Sequence, residues 1–555
     1  MWLANTIDIF RRPGGWRGPA LAALFAFLAG LPGLLALPPL DRDEARFAQA
    51  TAQMLEQGDY VVIRFQDQPR FKKPVGIHWM QAAVVSAFGD AGQRDIRLYR
   101  IPSLMGAMLA AAACVWGAAG FFSRSRALLA GLLLGGGLLL STEAFIAKTD
   151  AMLAGLTVLA MAAFARLYAE ARGGPAAGRH TAPLMWIALA LASLVKIPIA
   201  LMVAALAALT LRLADRKPLT VRPVGWTWGL ILFAAIVGPW AWAVTIATDG
   251  AFWSTAISGD LAPKLAGGHE SHGAPPGMHA LAAPLLTFPG TLLLPAAAWV
   301  AWRRRAEPGV RFALAWLIPA WIVFELTPTK LPHYVLPCYA ALAWLCAAGL
   351  TEADRPLPRR LGAALHGLAG LLLAGAAIYL AVTYGNLPAA VLTAVLLLLA
   401  GGAGAILLLR GQAVRALLWA LPLGVLGHAA LTGLLAPGLK PLLLSERTVA
   451  VLEEARLLPA QGVVPGPVAV AGYAEPSLVF LVGTDTGQGG AEDAARALAS
   501  GRAAVVESRE QPAFRAALAR EGITPREVGQ VAGLNYSNGD DTVLTVYAPP
   551  REIRP

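Results

Sequence analysis

The sequence predicts an α-helical membrane protein of many spans, followed by a small soluble α/β domain. Three observations carry that prediction: an apolar composition, a series of span-length apolar segments, and an alternation of positive charge between the loops that join them. Of 555 residues, 57% are hydrophobic and only 14% charged, and the mean hydropathy is +0.58. Soluble domains carry nearer a quarter charged residues, because polar groups must cover their surface. A lipid-facing surface lifts that requirement. The formal charge of +11 does not indicate nucleic acid, since no basic face with interleaved aromatics accompanies it. Cys114, Cys338 and Cys346 lie in apolar segments without metal-ligand spacing, which predicts buried thiols and no disulfide framework.

A spanning helix needs about twenty mostly apolar residues. Such segments lie at roughly 18–39, 100–121, 126–141, 150–171, 182–194, 196–213, 226–247, 278–302, 310–326, 331–350, 360–383, 387–410 and 414–436, about thirteen in all. Cytoplasmic loops should hold the Lys and Arg excess. Arg11, Arg12 and Arg17 precede the first segment, and every second loop is then basic, as with Arg124 and Arg126, Arg172 and Arg179, or Arg303 to Arg305. Arg216, Lys217 and Arg222, then Arg355, Arg359 and Arg360, then Arg410 and Arg415 continue the series. The intervening short loops hold little beyond Lys148, Lys196, Lys264 and Lys330. This alternation predicts a cytoplasmic N-terminus and, with an odd span count, a C-terminal region on the outer side. The first apolar run is too long for a cleaved signal peptide and reads as a signal-anchor.

The expected division is a membrane domain over 1–439, with a long first outer loop at about 40–99, and a soluble domain over 440–555. Within the latter, Val468–Val470, Leu478–Val482, Ala503–Val506 and Thr542–Tyr547 read as strands. Ala491–Leu498 and Pro512–Arg520 read as helices, giving a domain of ordinary size. It carries no phosphate-binding glycine loop or catalytic triad; a structural lid is the plainer role, acceptor docking the sharper one.

Charge is costly at membrane depth, so ionisable groups near span ends form the candidate site. Nearly all fall on the predicted outer side. The first loop opens Asp41-Arg42-Asp43-Glu44-Ala45-Arg46-Phe47, and helical spacing puts Phe47, Ala50 and Met54 on one stripe, as in a helix lying on the membrane surface. Asp41 with Glu44 also has capping-box spacing. That plainer reading leaves Asp43 and Arg46 without a purpose. Further on, Arg70-Phe71-Lys72-Lys73-Pro74 suits an anionic head group, and His78-Trp79 follows. Other outer ends supply Glu143, Lys148 and Asp150; Lys196; His269, Glu270, His272 and His279; and Lys330, His333 and Tyr334. His269 and His272 have ligand chemistry but sit among Gly and Pro residues, where a polar loop is the plainer reading. Asp150 could simply cap the helix that follows it, and Lys330 could mark a helix end. Taken together these residues describe an outer-leaflet site, with carboxylates for acid–base work and cations for a phosphate.

Arg42-Asp43-Glu44-Ala45-Arg46-Phe47-Ala48, then Lys73-Pro74 with His78-Trp79-Met80-Gln81-Ala82-Ala83, and later Lys330-Leu331-Pro332-His333-Tyr334-Val335-Leu336-Pro337 resemble the signatures of a known family. It is the bacterial C-type (GT-C) glycosyltransferases related to protein O-mannosyltransferases, including the aminoarabinose transferases of lipid A. The resemblance implies a sugar donor on undecaprenyl phosphate and transfer at the periplasmic face of the inner membrane to lipid A or another envelope acceptor. It implies catalytic acids at Asp43 and Asp150, and donor-phosphate cations at Arg46, Lys72, Lys73 and Lys330. Substrate contacts fall to Glu44, His78, His272, His333 and Tyr334. No cofactor is assigned; many relatives have Glu-Lys-Pro where this chain has Lys72-Lys73-Pro74, which removes one carboxylate and leaves a divalent metal open.

If the acceptor is a hydroxyl, Asp43 is expected to act as general base; if it is a lipid A phosphate, to orient. Direct displacement predicts inversion at the sugar carbon. A protein O-glycosyltransferase of the same family, an envelope polysaccharide ligase and a flippase are the alternatives. A flippase would line a path through the bilayer, whereas these groups collect at one face.

Overall fold

A computed structural model describes residues 15–215, 224–263 and 273–550. Lys264, His269, Glu270 and His272 lie outside the described residues, as do Arg11, Arg12, Arg216, Lys217 and Arg222.

Among the described residues, eight helices are long and apolar enough to cross a membrane. They include α1 (Arg17–Ala36), α4 (Ile96–Ala118), α7 (Asp150–Glu170), α10 (Trp226–Ala247) and α13 (Pro308–Leu326). The other three are α15 (Pro356–Tyr384), α16 (Leu387–Leu409) and the helical stretch Ala413–Gly438, which begins with α17 (Ala413–Ala430). A ninth candidate is a pair, α11 (Met278–Leu286) and the stretch Gly290–Arg303 containing α12 (Leu294–Arg303), bent by 116°. The remaining expected segments hold shorter helices: α5 (Arg124–Gly135) with α6 (Leu138–Glu143), α8 (Thr181–Val195), α9 (Ile199–Asp215) and α14 (Tyr339–Ala348). The protein is a multi-pass membrane protein.

Helix α7 lies at the centre, with 89% of its apolar stretch buried, against 17% for α10 at the periphery. Small residues allow the close approach of α4 and α7: a Cβ on Gly106 would lie 2.4 Å from Met152 Cα. Deeper in the bundle, the indole N–H groups of Trp316 and Trp344 donate to Pro337 O (3.1 Å) and Cys114 O (3.0 Å), so these buried rings leave no donor idle.

The first loop folds into α2 (Asp43–Gln57), a two-stranded hairpin of β1 (Arg64–Phe65) and β2 (Gln68–Pro69), and α3 (Gly76–Phe88). The expected apolar stripe is present, but α2 does not lie on the membrane surface. Gln49, Thr51 and Gln53 are as buried as Phe47 and Met54, because protein covers the polar side too. The capping box does not form, since the Asp41 amide donates to Tyr536 Oη (2.7 Å) and not to Glu44. Glu44 reaches back to the Leu40 amide (2.8 Å), whereas the Asp41 side chain turns to the C-terminal domain and accepts from Ser477 N–H (3.3 Å).

That domain opens with α18 (Leu444–Glu454) and holds a five-stranded sheet, β3 (Ala469–Ala471), β4 (Gly487–Gly489), β5 (Ala504–Glu507), β6 (Arg526–Asn535) and β7 (Asp540–Ala548). The strand order is β4-β3-β5-β7-β6, parallel among β4, β3 and β5 and antiparallel from β5 onward. Period-two alternation divides its core: Val470, Val505 and Leu544 pack on one face with Leu452 of α18. Ala471 and Val506 pack on the other with Leu498 of α20 (Ala491–Ala499) and Phe514 of α21 (Gln511–Glu521). The expected strand at Leu478–Val482 is instead helix α19 (Pro476–Val482). A short apolar run buried on all sides has no periodicity to separate the two states, and Pro476 at the first helical position favours the helix.

Candidate active site

Where α2 begins, the chain passes through Arg42 with φ of 64°, a conformation uncommon for a residue with a Cβ. Clamps on either side hold it. On the membrane-domain side, the fully buried Glu44 carboxylate accepts from Arg100 Nε (2.9 Å) and Nη2 (2.7 Å), Ala147 N–H (2.7 Å) and Leu40 N–H (2.8 Å). Arg100 spends its other N–H groups on Leu37 O (2.6 Å) and Pro38 O (2.9 Å). Every charge in the pair is hydrogen-bonded, the condition under which a buried ion pair is tolerable.

Asp43, between the clamps, is left exposed to a cavity of about 1430 Å³. It pairs with Arg70 at 3.9 Å, whose guanidinium also stacks 4.6 Å from the Phe47 ring centre. Arg46, Lys72 and Lys73 line the same cavity.

Across it stands a second charged group. Asp150, first residue of α7, pairs with Lys196 (2.8 Å), His333 (3.6 Å) and Lys148 (3.7 Å). Lys148 also meets Glu143 at 3.0 Å. Burial disfavours the Lys148 charge, but Glu143 and Asp150 outweigh it and its pKa is raised, so it stays an ammonium. Ser103 Oγ donates to Ile146 O (2.7 Å) and Lys148 O (3.2 Å), fixing the turn that presents these residues. Tyr334 is seated over the Lys196 ammonium, 5.3 Å from ring centre to nitrogen.

Three expected site residues lie elsewhere or are occupied. His78 does not line the cavity: its ring stacks on Phe47 (5.3 Å) and shares a hydrogen bond with Thr51 Oγ1 (2.7 Å) inside the protein. Burial, with Arg70 nearby, pulls its pKa down to about 3, so it is a neutral packing residue. Lys330 also does not line the cavity: its ammonium donates to Thr327 O (2.6 Å) and Ala274 O (2.8 Å) and ties two loops together. Glu44 borders the cavity, but both its oxygens are spent on the clamp. His272 lies outside the described residues.

Sequence reasoning missed Arg100, whose signal was a cation carried into the start of an apolar segment, a position that demands a partner. It noted Glu143, Lys148 and Lys196 without assigning them. It gave no sign that the C-terminal domain supplies Glu475, Gln488, Tyr536, Ser537 and Asn538 to the cavity wall. Among the described residues, no group of three or more His, Cys, Asp or Glu side chains is arranged to hold a metal ion.

This architecture has solved counterparts. The crystal structure of ArnT from Cupriavidus metallidurans bound to undecaprenyl phosphate superimposes with a TM-score of 0.73, covering 95% of this chain and 98% of that one at 17% identity. The oligosaccharyltransferase of Archaeoglobus fulgidus, tethered to an acceptor peptide, superimposes with a TM-score of 0.52 at 11% identity, covering 98% and 75%. The chain has the C-type glycosyltransferase fold.

Sequence comparison points the same way. Undecaprenyl phosphate-alpha-4-amino-4-deoxy-L-arabinose arabinosyl transferase of Aeromonas salmonicida is 29% identical over 351 residues, 61% of this chain. The enzyme of the same name in Yersinia pestis is 27% identical over 358 residues, 64% of this chain. These alignments span 62% and 63% of the relatives' own length. No protein-family profile matches the chain.

Proposed function

We propose that this protein is a glycosyltransferase of the inner membrane that moves a sugar from undecaprenyl phosphate to lipid A or another envelope acceptor. The observation that carries the reading is the placement of Asp43 and Asp150 with Arg46, Arg70, Lys72, Lys73, Lys148 and Lys196 around one cavity. Its volume of about 1430 Å³ exceeds the ~300–1000 Å³ usual for one small ligand, and accommodates a lipid-linked sugar beside an acceptor. The names of the sequence relatives supply the donor class, and aminoarabinose is the sugar to try first.

The chemistry follows from the parts. As the bond from the sugar carbon to the phosphate oxygen breaks, negative charge grows on the leaving phosphate. Fixed cations placed where that charge develops lower the barrier. Arg46, Lys72 and Lys73 are assigned to the phosphate, with Arg70 joining them. Asp43 accepts the proton of a hydroxyl acceptor or, with a phosphate acceptor already ionised, orients it. Asp150 orders Lys148, Lys196 and His333, and Tyr334 completes that wall. One displacement inverts the sugar carbon. The positive-inside pattern supports a cytoplasmic N-terminus, a periplasmic cavity and a periplasmic domain from about residue 440. Purified protein given undecaprenyl phosphate–aminoarabinose and lipid A is expected to yield lipid A heavier by the sugar; a protein that leaves the donor intact with every envelope acceptor contradicts the reading.

A further inference from the structure

The C-terminal domain does more than roof the cavity. The turn of the β6–β7 hairpin is built to aim one side chain. Asn535 accepts from Ser537 N–H through Oδ1 (3.0 Å) and from Gly539 N–H through its carbonyl (2.8 Å), and Gly539 takes a φ of 86° that closes the turn. Glu475 holds the same turn from below, accepting from Asn535 Nδ2 (2.9 Å) and Ser537 Oγ (3.0 Å). Tyr536, so placed, accepts the backbone N–H of Asp41 on its phenol oxygen at 2.7 Å. Beside it Ser477 N–H donates to Asp41 Oδ1 (3.3 Å), and Ser477 Oγ is fixed by Ser445 Oγ (2.6 Å).

These contacts come from a part of the domain that cannot drift. Phe480 of α19 is fully enclosed among Ala48, Ala52, Val85 and Tyr99, with Tyr99 edge-on at 5.3 Å. Gln66 Nε2 donates to Thr486 O (2.6 Å), and Gln49 Nε2 to Thr484 Oγ1 (2.8 Å). From this anchored surface, Tyr536 and Ser477 grip residue 41. The Glu44–Arg100 clamp grips residue 44 from the other side. Between the grips, Arg42 is held at positive φ and Asp43 has no freedom to turn with the helix start. A backbone conformation of this kind persists only where its surroundings over-determine it, and such positions cluster at functional sites.

We infer that Tyr536 and Ser477 are positioning residues for Asp43, so that the C-terminal domain sets the aim of the acid in the membrane domain. The inference rests on the assignment of Asp43 made above. The functional demand is plain: a catalytic group misplaced by an ångström forfeits much of its rate advantage without any loss of substrate binding.

The test uses the full-length protein in lipid vesicles and the variant Tyr536→Phe, which removes the hydroxyl that meets the Asp41 backbone and carboxylate and keeps the ring. Hydrogen–deuterium exchange of peptides covering residues 41–43 is expected to quicken. With undecaprenyl phosphate–aminoarabinose as donor, kcat is expected to fall about ten- to a hundredfold while the donor KM stays at the wild-type value. Asp41→Ala, which deletes the Ser477 contact instead, should give the same pair of changes. Unchanged exchange at 41–43 in both variants overturns the grip. Faster exchange with an unchanged kcat overturns the positioning role, as does a rise in KM at constant kcat. The exchange measurement needs no turnover, so a failure of the transferase reading, seen as an inactive wild type, is distinguishable from a failure of the grip.

Discussion

Removing Arg100 should unfasten the floor of the site, and the structure gives the size of the effect. In Arg100→Leu, the Glu44 carboxylate loses two of its four hydrogen bonds, those at 2.9 and 2.7 Å, and keeps only the Leu40 and Ala147 amides. Its side chain has 0% exposure, so water cannot replace the lost partner. Leaving one member of a buried pair costs about 3–5 kcal/mol, which is about two to four decades in an equilibrium constant. Glu44→Gln should cost a similar amount, about 3–5 kcal/mol, because it leaves the buried Arg100 charge without a counterion and turns an NH2 toward two donors. In the double variant Glu44→Leu/Arg100→Leu no uncompensated charge remains, so its cost should fall below the sum of Glu44→Leu and Arg100→Leu. The assay is the rate of thermal unfolding of detergent-solubilised protein, since membrane proteins of this size rarely unfold reversibly. An Arg100→Leu protein as stable as wild type, or single-variant costs that simply add, refutes the reasoning.

Further outcomes follow from the same geometry. Burial, with Glu475 adding repulsion, pushes the Asp41 carboxyl up to about 7, while the facing phenols of Tyr473 and Tyr536 are raised and stay neutral. Its contribution to docking is therefore complete below the ordinary carboxyl value of 3.8 and is lost as pH rises through about 7. Protection of residues 41–43, taken relative to the intrinsic amide exchange rate at each pH, should fall between pH 6 and 8, roughly one unit either side of that value, and Asp41→Asn should flatten that protection profile. Phe480→Ala should weaken the seat of the C-terminal domain by about 3–5 kcal/mol, read as faster exchange in α19; no change there would contradict the anchoring role. Lys196→Met removes the closest partner of Asp150 and should lower transfer about a hundredfold in a protein that still inserts, measured by donor turnover.

The parts legible in the sequence were those written locally. Apolar segments and alternating arginines identify a multi-pass protein because lipid imposes its pattern residue by residue. Asp43, Asp150 and Lys73 stood out because charge is conspicuous beside such segments. Pairings across the chain were not legible: Glu44 meets Arg100 from 56 residues away and Asp41 meets Tyr536 from 495 away, and neither spacing leaves a periodic trace. His78 was misleading for a related reason. It follows Lys73-Pro74 closely, but the phase of α3 turns it toward Phe47 and Thr51 instead of the cavity. Leu478–Val482 reads as a strand because so short an apolar run carries no periodicity, and only Pro476 ahead of it favours the helix. Among the described residues, eight helices reach full span length and other expected segments hold shorter or bent helices, since hydropathy does not register where a helix breaks.

The most direct measurement is transfer by purified wild-type and Asp43→Asn protein in vesicles, with undecaprenyl phosphate–aminoarabinose as donor, lipid A as acceptor, and mass spectrometry of the lipid products. Wild type should add one sugar to lipid A with inversion at the transferred carbon, and a stably inserted Asp43→Asn protein should add none. Full transfer by Asp43→Asn, or a product that retains the donor's configuration, would contradict the site described here.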